Sequence, residues 1–117
     1  EGIKNVQSDS GLWHQVLDIP STYEETSCTG MFALGMLRGV ENGWLGEEYR
    51  ETIDKALNGL EKKAIDAKGN VIGVCRGSEC SYDPEYYANL STVVNDDHGT
   101  GIILALLSEY LESSVIN

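Results

Sequence analysis

Six side chains could carry chemistry in this sequence: Trp13, His14 and Gln15 side by side, Thr26 and Ser27 further on, and His98 near the end. Trp13 offers a flat apolar face, while His14 and Gln15 supply hydrogen-bond donors and acceptors. Thr26, Ser27 and Thr29 stand at the mouth of an apolar run. A core tryptophan and a structurally bonded histidine would use the same residue types, and both alternatives stay open from sequence. The cluster Asn95-Asp96-Asp97-His98 invites a metal, but the calcium-loop pattern with its central glycine and distant glutamate is absent. Capping by Asp97 or Thr100 fits better. Free N–H groups at that helix start could also take a sugar carboxylate, with His98 beside it. A Cys28 nucleophile served by His14 or His98 would need an exposed thiolate of low pKa, and its apolar neighbours argue against one.

These residues must be positioned by helices. Ser21-Thr22-Tyr23-Glu24 reads as a capping box following Pro20. From Met31 to Val40 apolar residues point in every direction around a 3.6-residue period, which predicts a buried helix. Gly30 and Gly35 each cost about 1 kcal/mol inside it, which implies close packing. Glu41-Asn42-Gly43 ends that helix, with Trp44 and Leu45 packing the corner. A second helix is predicted from about Glu47 to Lys63, with one apolar stripe through Tyr49, Ile53, Ala56, Leu57 and Leu60. The pair reads as the inner and outer members of an α/α hairpin.

Ala64 to Asp66 and Val71 to Cys75 flank Ala67-Lys68-Gly69-Asn70, which predicts a β-hairpin. Arg76 to Asn95 reads as a long ordered loop holding Tyr82, Tyr86 and Tyr87. Asn95 to Gly101 then opens a leucine-rich helix to about Leu111, again apolar all round and expected to be inner. Glu1 to Gln7 reads as the end of a helix, followed by a turn at Ser8-Asp9-Ser10-Gly11. Two all-round apolar helices exceed what one amphipathic helix can cover, so more chain or a second copy is expected against them.

Composition narrows the partners. The chain has 117 residues, one domain at most, with 19 acidic against 8 basic side chains. Such a field repels nucleic acid and anionic membranes, and no run is long enough to span a bilayer. Three cysteines, Cys28, Cys75 and Cys80, match no zinc spacing and are too few for a disulfide scaffold, although Cys75 and Cys80 could close a short loop.

Several motifs in register carry a resemblance. They are Gly11-Leu12-Trp13-His14-Gln15-Val16-Leu17-Asp18, Tyr23-Glu24-Glu25-Thr26-Ser27-Cys28-Thr29-Gly30-Met31-Phe32, Gly43-Trp44-Leu45, Val74-Cys75-Arg76-Gly77, Tyr86-Tyr87, and His98-Gly99 before the last helix. Together they resemble the C-terminal part of glycoside hydrolase family 105, the unsaturated rhamnogalacturonyl hydrolases, related to the family 88 unsaturated glucuronyl hydrolases. The resemblance implies a mainly α fold in which α/α hairpins form part of a six-hairpin toroid, with residues 1–117 as an incomplete C-terminal portion. It implies a bacterial enzyme, in cytoplasm or periplasm, that removes a terminal unsaturated uronic acid from pectin-derived oligosaccharides without metal or cofactor. An aspartic acid held protonated near neutral pH would protonate the sugar's double bond so that water adds. That aspartate lies upstream of Gly11 in the family, and nothing here matches it. Asp18 belongs to the Trp-His-Gln loop and is not that acid. The chain alone is therefore expected to be inactive, contributing Trp13, His14, Gln15, Thr26, Ser27 and His98 to a substrate wall. A non-catalytic carbohydrate-binding or assembly module of the same fold is the alternative.

Overall fold

Apolar periodicity builds three long helices, and the polar stretches between them build the loops that matter for function. The structure, a computed structural model, describes residues 1–116. After a short helix α1 (Gly2–Asn5) come strands β1 (Trp13–His14) and β2 (Glu24–Glu25), then helices α2 (Thr26–Glu41) and α3 (Tyr49–Lys63). Strand β3 (Val74–Cys75), helix α4 (Pro84–Ala88), strand β4 (Thr92–Val93) and helix α5 (Asp97–Ile116) complete the order. The strands form two antiparallel pairs, Trp13 opposite Glu25 and Val74 opposite Val93.

Helix α2 is the axis of the molecule and packs against both α3 and α5. Ala33, Leu34, Leu37 and Val40 of α2 meet Ile53, Ala56 and Leu60 of α3 and Ile103 and Leu106 of α5 in one core, which Trp13, Val71 and Val74 extend. Each large aliphatic side chain sealed there contributes about 1.5–3 kcal/mol relative to exposure. The short 42–48 connection sends α3 back antiparallel to α2, with Leu45 seated over Gly39. Helix α5 instead runs parallel to α2: Gly30 faces Ile102 and Ile103, and Arg38 pairs with Glu109. The inner helices therefore start at the same end.

The loop before β1 is pinned to α3 by glycines. Gly11 has φ +99, and a β-carbon on it would overlap the Lys55 carbonyl, while one on Gly59 would overlap the Ser10 carbonyl. Gln7 Nε2 donates to the carbonyls of Gly11 (2.9 Å) and Thr52 (3.0 Å), closing the same contact.

Several expectations need correction. The capping box is displaced: α2 starts at Thr26, and its cap is Glu25, whose carboxylate accepts from the N–H groups of Ser27 and Cys28. Ser21 is exposed, and Glu24 is drawn into β2. One expectation does hold: neither α2 nor α5 is covered on every side by this chain. Met31, Gly35 and Arg38 form an exposed stripe at i, i+4, i+7 on α2, and Leu104 and Leu111 are more than half exposed on α5. Trp44 is 77 % exposed, because Leu45 rather than Trp44 fills the notch above Gly39. The 64–75 hairpin reduces to an Ile65–Val71 bridge around a turn held by Asp66, whose carboxylate accepts from Lys68 and Asn70 N–H. Strand β3 pairs with β4 instead, so the predicted loop contains a strand and a capped helix, with Asp83 accepting from Glu85 N–H. The β1–β2 pair was not foreseen, since two-residue strands carry no periodicity. All three cysteines are free thiols.

Candidate functional site

Because α2 and α5 are parallel, both long connections, 6–25 and 64–96, gather at the end where these helices begin. Every residue singled out for chemistry lies in or beside those connections. Glu25 is the organising group, 4 % exposed. Its carboxylate accepts from Ser27 N–H (2.7 Å), Cys28 N–H (3.0 Å) and the Ser27 hydroxyl, and more distantly from Cys75 N–H (3.4 Å). The four N–H groups that open a helix lack intrahelical partners, and a carboxylate there also meets the positive end of the helix dipole. Thr26 adds a second tie, donating its N–H to Gly73 O (2.9 Å) and its hydroxyl to Ile72 O (2.6 Å).

The tripeptide divides. Trp13 has no exposed surface; its indole N–H donates to Ile3 O (2.7 Å), and its ring meets Phe32 edge to face with centroids 5.3 Å apart. In this chain it presents no face to a sugar. His14 is half-buried, with Nδ1 bonded to Thr22 O (2.7 Å), and it borders an open groove of about 460 Å³ shared with Asn5, Asp9, Leu17 and Asp18. Gln15 donates Nε2 to Cys75 Sγ (3.3 Å) and its N–H to Tyr23 O (2.7 Å). Thr26 and Ser27 are buried and spend their hydroxyls on backbone and on Glu25.

His98 stands apart at the start of α5, half-exposed and paired through Nδ1 with Asp96, whose carboxylate also accepts His98 N–H (3.3 Å). Asp96, rather than the expected Asp97 or Thr100, thus supplies the carboxylate that takes an amide at this helix start. Asn95 ties the α5 start to the 64–75 turn: at φ +56, its Oδ1 accepts Val71 N–H (2.8 Å) and its N–H donates to Val71 O (2.8 Å). Among the described residues no group of three His, Cys, Asp or Glu could hold a metal ion.

Sequence reasoning missed Glu25, Tyr23 and Asn95. The signal for Glu25 was an acid immediately before Thr-Ser-Cys-Thr and an apolar run, which is itself an N-cap pattern. The Tyr23 hydroxyl is enclosed beside Cys75 and finds no conventional partner among the described residues. Burial, and then the nearby Cys75, Glu25 and Cys28, raise its pKa well above the ordinary tyrosine value. Burial, and then Glu25, push the Cys28 thiol up to about 12, the opposite of what a cysteine nucleophile requires.

Known proteins are similar to this chain in sequence and in fold. Protein Atu3128 of Agrobacterium fabrum is 30% identical over 129 residues, covering 94% of this chain and 55% of that protein. The unsaturated rhamnogalacturonyl hydrolase YesR of Bacillus subtilis is 27% identical over 108 residues, covering 92% of this chain and 29% of that enzyme. The structure of a possible member of the GH105 family from Salmonella enterica superposes with a TM-score of 0.90 at 29% identity, covering 96% of this chain and 29% of that one. The chain thus spans about half the length of the first of these relatives and under a third of the other two. Its fold class is that of the α/α-toroid proteins it superposes on: mainly α, with two small two-stranded sheets. With residues 1–114 matching Glycosyl Hydrolase Family 88, the chain belongs to that family of glycosidases.

Proposed function

We propose that residues 1–117 are the C-terminal portion of an α/α-toroid glycoside hydrolase domain. The enzyme they serve removes a terminal unsaturated uronic acid from pectin-derived rhamnogalacturonan oligosaccharides. The observation that carries this reading is the parallel start of α2 and α5 with both long connections at one end, in an arrangement that superposes on a possible family 105 member. The Bacillus subtilis relative, an unsaturated rhamnogalacturonyl hydrolase, supports the substrate class.

In this reading the reaction is a hydration. A carboxylic acid delivers a proton to one carbon of the double bond, water adds to the other, and the resulting hemiketal opens with release of the neighbouring sugar. The acid comes from the part of the enzyme upstream of this chain. This chain supplies wall and positioning. His14, beside its groove, Gln15 and His98 face the substrate and exchange hydrogen bonds with its hydroxyls. Trp13 serves one step removed by anchoring the loop that carries His14 and Gln15, and Thr26 and Ser27 do so by tying the 64–75 segment and Glu25 to the start of α2. The exposed stripes of Met31 and Gly35 on α2 and of Leu104 and Leu111 on α5 are covered by further helices of the ring.

The test is loss of the double bond's ultraviolet absorbance in an unsaturated rhamnogalacturonan disaccharide. The longer parent protein is expected to remove it and the 117-residue chain is not. Turnover by the chain alone would place the acid within it. No turnover by the parent would overturn the substrate assignment.

A further inference from the structure

Glu25 is a buried acid for which the proposed hydration has no use. A helix cap needs only the N–H groups of Ser27 and Cys28, which the Glu25 carboxylate accepts at 2.7 and 3.0 Å. The same carboxylate also reaches out of the helix to Cys75 N–H in β3, at 3.4 Å. The contact does not stand alone, because the next residue repeats it through Thr26 to Ile72 and Gly73. Above it, Cys75 Sγ accepts from Gln15 Nε2 at 3.3 Å. Glu25 itself is paired with Trp13 across the β1–β2 ladder. The segments carrying His14 and Gln15 on one side and Arg76 on the other are therefore joined through Glu25 and Cys75. Aspartate would cap α2 as well but is one methylene too short to span from the cap to β3.

We infer that Glu25 is a positioning residue: its carboxylate clasps β3 to the start of α2 and thereby fixes where Gln15, bonded to Cys75, stands at the substrate-facing end. The substrate-facing part of this statement rests on the function proposed above; the clasp does not.

The test separates the two. Glu25→Asp keeps the cap and releases the clasp. Hydrogen exchange on the 117-residue chain should show the Cys75 amide exchanging about tenfold faster or more, while the Ser27 and Cys28 amides stay protected. In the longer parent protein the same variant should raise KM for the unsaturated disaccharide about tenfold, with kcat within about twofold. Unchanged Cys75 exchange would overturn the clasp, as would equal acceleration at all three amides. Faster Cys75 exchange with an unchanged KM would overturn the positioning role. A parent protein without turnover would sink the sugar reading, and the exchange result would still decide the clasp.

Discussion

Gly30 of α2 lies against Ile103 of α5 so closely that a β-carbon on the glycine would stand 3.0 Å from Ile103 Cδ1. Close approach at this point is what lets two inner helices start side by side and bring their loops to one end. It also gives Gly30 and Gly35 of the same helix opposite meanings, since nothing lies within 4 Å of the position a β-carbon on Gly35 would take.

Gly35→Ala should stabilise the 117-residue chain by about 0.5–1 kcal/mol, through helix propensity and a less flexible unfolded state. Gly30→Leu should destabilise it by about 1–3 kcal/mol, by forcing Ile102 and Ile103 aside. Urea denaturation of the two variants checks both. A stabilising Gly30→Leu would show that the α2–α5 contact is loose.

The two tryptophans should behave as opposites. Trp13 is sealed in the core, and Trp13→Ala should cost about 3–5 kcal/mol. Trp44 is 77 % exposed, and Trp44→Ala should stay within about 0.5 kcal/mol. Acrylamide quenching of single-tryptophan variants reads the same contrast directly. Strong quenching of Trp13 would contradict the packing described.

Acid should weaken the fold through Glu24. Burial pushes its pKa up, but hydrogen bonds from Lys63 (2.5 Å), Ser10 and Ser8 outweigh that and hold it at about 2, against an ordinary 4.5. A folded-state pKa below the unfolded one means a stabilisation complete above about pH 4.5 and lost as pH falls towards 2. The effect should amount to about 1–2 kcal/mol, with Lys63 half exposed. Glu24→Gln should flatten this limb of the stability profile; an identical slope in wild type and variant would rule the contribution out.

Thiol labelling should discriminate the cysteines. Cys80 is exposed and should react at once near pH 8, whereas Cys28, with its thiol pushed up to about 12, should lag by about a hundredfold or more. The sign for stability is also set. The folded thiol keeps its proton where the unfolded one loses it, so Cys28 contributes below pH 9.0 and its contribution drains as pH rises above that value. Rapid modification of native Cys28 would reopen a cysteine-based chemistry.

Periodicity alone located the three long helices. The stripe of Tyr49, Ile53, Ala56, Leu57 and Leu60 marked α3, and the apolar runs after Gly30 and Gly101 marked α2 and α5, because a 3.6-residue repeat is a local property of the chain. The motifs between Gly11 and Gly99 also sufficed to suggest the family that residues 1–114 match. Which faces of the inner helices this chain covers was not legible, since Leu104 and Leu106 are the same residue type and only the position of α2 buries one and exposes the other. The same holds for the site. Trp13 and Trp44 look alike as letters, and whether either meets a ligand depends on what Phe32, Ile3 and Leu45 leave open. Glu25 could have been read as a cap, but its reach to Cys75 could not, because that contact joins residues 50 apart in sequence and exists only once β3 lies over the start of α2.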